Sequence, residues 1–110
     1  MKLIIAIVQD EDSGRLITGL MEKGFGVTKL ATTGGFLKAG NTTLMIGVED
    51  EGVSDAVRTI ETVCKSRKQM MTAHSTIPGG QGSGFTSFPM EVTVGGATLF
   101  VLSVDQFLKV

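Results

Sequence analysis

The chain has no tryptophan, no tyrosine, one cysteine, one histidine and only two prolines in 110 residues. A lone Cys64 cannot close an internal disulfide, and its place in a helical pattern marks it as a buried thiol. One thiol and one imidazole on different segments cannot assemble a zinc or copper set, so no metal and no resident cofactor are expected. His74 has Ser75 and Ser83 near it in sequence but no acid placed to orient it, so the pattern of an activated nucleophile is missing and no enzymatic activity is expected. Charge of one sign is also missing. Ten basic and 11 acidic residues leave a net charge of -1, and the longest basic cluster is the short KSRK of 65–68, which gives no footprint for DNA or RNA. The longest apolar run, Leu3 to Val8, is too short to cross a bilayer, so membrane insertion is not expected. The start MKLIIAIVQDED passes from apolar residues straight into acids without a small-residue cleavage site; it reads as a strand and predicts a cytoplasmic protein.

What is present is a globular composition, 42% hydrophobic and 19% charged, on a chain long enough for one core, so residues 1–110 form one domain. Leu3 to Val8 is a continuous, β-branched run and reads as a strand buried on both faces. Asp10 and Asp12 are candidate N-caps of a helix with Leu16, Ile17, Leu20 and Met21 on its apolar face and Gly24 at its end. Phe25 to Thr33 and Thr42 to Val48 make a hairpin around a short glycine-rich loop at 34–40. Glu49, Asp50 and Glu51 cap a second helix with Val53, Val57, Ile60 and Cys64 at helical spacing. From Ser66 to Pro89 the periodicity fades and a long flexible loop is expected; then Met90 to Val94 and Ala97 to Val104 read as strands joined by a Gly95-Gly96 hairpin turn. The order βαββαβ, closed by that hairpin, implies an α+β sandwich of the ferredoxin-like kind, with helices on one sheet face and the other face packed on something else. Self-association is the economical candidate.

Two glycine-rich stretches bear on chemistry. Gly35 to Thr42 has the spacing of G-x-x-x-x-G-K-[ST], but Asn41 stands where the lysine must be and a strand follows where a helix must. The P-loop reading fails. What remains is free backbone N–H from the glycines, a donor and an acceptor on Asn41, and a ring on Phe36, a set that suits a nucleotide. Phe36 and Leu37 equally suit a plug against a neighbouring subunit. Gly79 to Gly84 contains no dinucleotide fingerprint and reads as flexible composition. The acids near the helix starts read as caps and solvated turns rather than as a catalytic pair.

The start MKLIIAIVQDED, the run TKLATTGGFLKAGNTTLMIGVED and the end EVTVGGATLFVLSVDQF together resemble the PII-like cyclic di-AMP receptor family. The resemblance implies a PII-type ferredoxin-like domain assembled as a homotrimer, with cyclic di-AMP bound between subunits and a downstream protein partner that the sequence does not identify. It places Val27, Thr28, Gly35, Phe36, Leu37, Asn41, Gly47 and Phe100 at the ligand. Phe36 and Phe100 would offer stacking surface, Leu37 would seal it and Asn41 would read a base edge. Thr28 and the Gly35 backbone would meet polar oxygens, Gly47 would permit close approach, and Val27 would contribute backbone contacts. Gly24, Gly26 and Lys109 depart from relatives that carry Asn, Arg and Gln there. Nitrogen-regulatory PII proteins, which bind ATP and 2-oxoglutarate, are similar in fold, but their long loop follows the second strand and commonly carries a tyrosine. A trimeric scaffold without a nucleotide is the remaining alternative.

Overall fold

In the computed structural model the described residues are 1–35, 38–76 and 85–110, with the side chains of 31–39 and 72–88 left aside. The elements in chain order are β1 (Lys2–Gln9), α1 (Asp10–Glu22), β2 (Gly26–Gly35), β3 (Lys38–Val48), a single 3-10 turn (Asp50–Gly52), α2 (Val53–Cys64), β4 (Arg67–Thr76), β5 (Phe85–Val94) and β6 (Ala97–Ser103). Four strands form one sheet in the order β2-β3-β1-β6, every neighbour antiparallel, while β4 and β5 form a separate two-stranded ribbon. Without the ribbon, the connectivity is a split βαββαβ with α1 and α2 as crossovers, compatible with a ferredoxin-like fold.

Strand alternation sets the core. Ile4, Ala6 and Val8 of β1 and Leu44, Ile46 and Val48 of β3 point to the helix side, where they bury against Leu16 and Leu20 of α1 and Ala56, Ile60 and Cys64 of α2. Each large aliphatic side chain so buried contributes roughly 1.5–3 kcal/mol. Leu3, Ile5 and Ile7 point the other way and stay partly exposed, so β1 is buried on one face only in the single chain. Helix α1 ends in a Schellman motif: Phe25 N–H donates to the Leu20 carbonyl at 3.0 Å and Gly24 N–H to that of Met21 at 3.0 Å, with Gly24 at φ +88°. Met21, expected on the buried face, is 61% exposed.

Several expectations change. The loop expected at 66–89 consists mainly of β4 and the first half of β5, from Arg67↔Val94 to Thr76↔Phe85 in register; residues 77–84 lie outside the described set. Among the described residues the ribbon commits no side chain to the core: Met70, Met71 and Met90 are all exposed. With none of the described ribbon side chains buried, only Met90 to Val94 shows a strand alternation, and paired backbone groups hold the two strands together. Pro89 is tolerated because each strand of a two-stranded ribbon is an edge. Gly95 and Gly96, both at positive φ, do not turn a hairpin: β5 on one side belongs to the ribbon and β6 on the other to the main sheet. The loop expected at 34–40 is also shorter, since Gly34 and Gly35 belong to β2, Lys38 to Gly40 belong to β3, and Gly35 pairs with Lys38.

Candidate functional site

The register of the main sheet places side chains in rows on the helix-free face. One row runs Thr28, Met45, Ile5, Phe100 across β2, β3, β1 and β6; the next runs Gly26, Gly47, Leu3, Leu102. Asn41 lies on the same face at the far end of β3, opposite Gln9 of β1 and Thr33 of β2. Four of the sequence-predicted residues, Thr28, Asn41, Gly47 and Phe100, therefore share one face. Val27 does not: it pairs with Ile46 and packs on the core from the helix side. Gly35 closes the β2–β3 hairpin opposite Lys38, while Phe36 and Leu37 lie outside the described residues.

Sharing a face is not the same as meeting. At about 3.4 Å per residue, Asn41 and Gly47 stand about 20 Å apart along β3, and three strand spacings of about 4.8 Å put Phe100 about 14 Å from Thr28. Thr28 and Gly47 do meet. They line a hollow of about 310 Å3 together with Gly26, Met45, Leu3 and Phe107. Asn41 lines another, of about 290 Å3, with Gln9, Gly95, Gly96 and Thr98. Phe100 is 51% exposed and lines neither. A wider hollow of about 520 Å3 lies between the base of the ribbon and the first turn of α1, bounded by Asp10, Glu11, Gly40, Met71 and Val92.

The acids at the start of α1 are built into the fold and do not cap it. Gln9 occupies the N-cap with no side-chain hydrogen bond there, and Asp10 accepts a hydrogen bond from the buried Thr42 hydroxyl of β3. Asp12 is fully buried, correcting its expected place in a solvated turn. Its Oδ1 accepts from Arg15 Nη2 at 2.6 Å and from Arg67 Nη2 at 2.9 Å. Burial by itself would raise the Asp12 pKa, but the two guanidinium groups, Arg67 foremost, outweigh it and hold the carboxyl below its ordinary 3.8. Arg67 opens β4, so this ion pair ties the base of the ribbon to α1. The Gly95 N–H to Gln9 Oε1 bond, 2.7 Å, ties the ribbon's other strand to the end of β1. Asp50 likewise caps nothing; its carboxylate pairs with the N-terminal amine at 3.0 Å. The Cys64 thiol is 1% exposed, and burial, with the Asp12 charge adding to it, pushes its pKa up to about 11. It is a packing residue rather than a nucleophile.

Among the described residues no group of three or more His, Cys, Asp or Glu could hold a metal ion. The helix-free face can bind an apolar, planar or multi-armed ligand across strands, and its described residues bring no acid and base together over one point. The sequence model of the cyclic-di-AMP receptor family matches residues 1–110. The chain belongs to the cyclic-di-AMP receptor family. Among solved structures it is similar to a functionally unknown protein from Pediococcus pentosaceus, with 42% identity, coverage of 99% of this chain and 96% of that one, and a TM-score of 0.76. No described helix is long and apolar enough to cross a membrane. Membership in a receptor family gives the shared face its context: Thr28 and Gly47 already form part of one concave surface in the single chain.

Sequence reasoning missed two features of this receptor-family chain. Phe107, beyond the last strand, reaches the hollow at Thr28 and Gly47; the apolar pair Phe107-Leu108 set between Asp105-Gln106 and Lys109 was the available signal. The Asp12 and Arg67 pair joins positions 55 apart in sequence, and local pattern carries no trace of it.

Proposed function

We propose that this protein is a signal transduction receptor that binds cyclic di-AMP between the subunits of a cytoplasmic homotrimer and is not an enzyme. The observation that carries the reading is the match of the receptor-family model to the entire chain, 1–110. The geometry supports assembly in two ways. The helix-free face carries Leu3, Ile5, Ile7, Met45, Phe100 and Leu102, an apolar surface left partly or largely exposed among the described residues. The proposed ligand residues on that face are too far apart to enclose one small molecule within one chain, which suits a cleft completed by a neighbour. Thr28, Gly35, Phe36, Leu37, Asn41, Gly47, Phe100 and the Val27 backbone are the proposed contacts. Phe36 and Phe100 supply ring surface and Asn41 reads a base edge. Ligand binding then biases the β2–β3 hairpin tip and the β4–β5 ribbon and so alters the surface offered to a downstream protein.

Thermal unfolding with cyclic di-AMP, ATP and cyclic di-GMP in parallel tests the reading. A ligand at 100 times its dissociation constant stabilises the folded state by about 2.7 kcal/mol, which shifts the melting temperature of a domain this size by about 10 °C. A shift with cyclic di-AMP alone is expected. No shift with cyclic di-AMP, or a larger one with ATP, rejects it in favour of a scaffold or a nitrogen-regulatory PII protein respectively.

A further inference from the structure

We propose that Gln9 is a positioning residue that couples ligand occupancy beside Asn41 to the attachment of the β4–β5 ribbon. The inference rests on the reading of the protein as a cyclic di-AMP receptor.

Gln9 ends β1 and stands at the N-cap of α1, where a side chain ordinarily accepts from the first turn of its own helix; it makes no such bond. Its Oε1 instead accepts from the Gly95 N–H at 2.7 Å, although the two residues are 86 positions apart. Gly95 opens the link from β5 to β6, and the link is closely packed there: at φ +86° an added Cβ would stand 2.5 Å from the Lys65 carbonyl oxygen. That packing holds the N–H in place, so a change in the Gln9 amide is felt at the base of the ribbon.

The other side of the Gln9 amide faces the proposed ligand site. Gln9 pairs with Asn41 in the β1 and β3 register, and side chains so paired stand about 5 Å apart. Asn41, Gln9, Gly95 and Gly96 line one hollow of about 290 Å3, so a proposed ligand contact and the ribbon's link share a single cavity. The tie at the ribbon's other strand, Arg67 to Asp12, offers no such route, because Asp12 is fully buried. A primary amide suits a relay, since it carries one acceptor and two donors on a rigid plane. With Oε1 on the Gly95 N–H, the Nε2 donors can meet an acceptor of a base or phosphate held at Asn41. Hydrogen bonds chained in this way polarise one another, so the ligand tightens the bond to Gly95.

The test is amide hydrogen exchange at Gly95 in wild type, Gln9→Met and Gln9→Glu, with and without saturating cyclic di-AMP, alongside isothermal titration of each. The Gly52 N–H, bonded to the Glu49 carbonyl at 2.9 Å beyond the opposite end of β3, is the control for global stabilisation. In wild type the ligand is expected to slow exchange at Gly95 by about two- to tenfold more than at Gly52. Gln9→Met, which removes the acceptor, should exchange faster at Gly95 and show no ligand-dependent slowing there. Because coupling is reciprocal, it should also bind cyclic di-AMP about two- to tenfold more weakly. Gln9→Glu, which keeps an oxygen for Gly95 but loses the amide donors, should regain the protection without the response to ligand. Equal slowing at Gly95 and Gly52 in wild type, or full slowing at Gly95 in Gln9→Met, overturns the relay and leaves the receptor reading standing. A loss of affinity beyond about a hundredfold in Gln9→Met would make Gln9 an affinity contact and overturn the relay too. If wild type takes no cyclic di-AMP, the receptor reading fails and the relay fails with it.

Discussion

Gly95 is the position where one methyl group should do the most harm. It sits at φ +86°, and a Cβ there would stand 2.5 Å from the Lys65 carbonyl oxygen, 3.0 Å from that of Cys64 and 2.6 Å from Arg67 Nη1. The guanidinium can swing away; the carbonyls end α2 and cannot move without disturbing it. Gly96 and Gly24 are the internal controls, at φ +91° and +88° with nothing within 4 Å of an added Cβ. Gly24→Ala and Gly96→Ala should each cost only the left-handed backbone term, about 1–2 kcal/mol. Gly95→Ala adds the clash. To relieve it the link must shift, which strains both the Gly95 N–H to Gln9 bond and the Gly96 N–H to Cys64 carbonyl bond, each worth about 0.5–1.5 kcal/mol. The sum is about 2–5 kcal/mol, a large part of the 5–15 kcal/mol typical of a whole domain. Urea denaturation of the three variants at one protein concentration reads the difference directly, and in melting temperature it is about 4 °C for each kcal/mol. Gly95→Ala within 1 kcal/mol of Gly96→Ala would refute the claim that the link is sterically locked against the end of α2.

Three further outcomes are expected. Asp12 has a folded-state pKa below 3.8, so its ion pairs stabilise the fold fully above that pH and lose their contribution as pH falls through the lower folded value. Asp12→Asn should therefore be less stable than wild type at pH 7 and flatter in urea midpoint between pH 4 and the acid limit; equal acid slopes would count against the pair. Cys64 should resist a thiol reagent at pH 8 in the native protein and react at once in urea, because burial holds the thiol protonated up to about 11; labelling at equal rates in both would show that it is accessible. Ile5→Glu, in the middle of the helix-free face and clear of the core, should keep the far-ultraviolet dichroism and convert the proposed trimer to monomer in sedimentation; an unchanged sedimentation coefficient would remove that face from assembly.

The elements that pack the core were legible, and the ribbon was legible only in part. α2 announces itself through Ile60 and Cys64, and β1 and β3 through β-branched runs, because the core demands a period and the sequence supplies it. Of the ribbon, Met90 to Val94 reads as a strand, while β4 and the first half of β5 read as loop; none of the described side chains of β4 is buried to supply a period. Gly95-Gly96 misled for a related reason: positive φ at both residues matches a hairpin turn, and only the pairing partners reveal that the flanking strands belong to different sheets. The acids of α1 misled through context, since a surface cap and a buried ion pair use the same residue type and Arg67 is distant in sequence. Of the candidate site, Thr28, Asn41, Gly47 and Phe100 came from the family resemblance, and only the register of the sheet shows that they share one face. Phe107 lies beyond the last strand, where no strand or helix period extends.

β1 is the element whose sequence makes least sense in an isolated chain. Its helix side, Ile4, Ala6 and Val8, is consumed by the core, and an antiparallel strand with a solvated second face ordinarily alternates with polar residues there. Leu3, Ile5 and Ile7 occupy those positions instead, and the register continues the apolar row into Met45 on one side and Phe100 on the other. Each is partly exposed and so forgoes part of the roughly 1.5–3 kcal/mol that full burial of such a side chain returns. In the proposed trimer, further copies of the chain would cover the face, recover that free energy and bring other Thr28, Asn41 and Phe100 side chains up to the first set. Assembly and ligand site would then be one construction, which is why loss of the trimer through Ile5→Glu should also abolish cyclic di-AMP binding, although Ile5 is not among the proposed contacts.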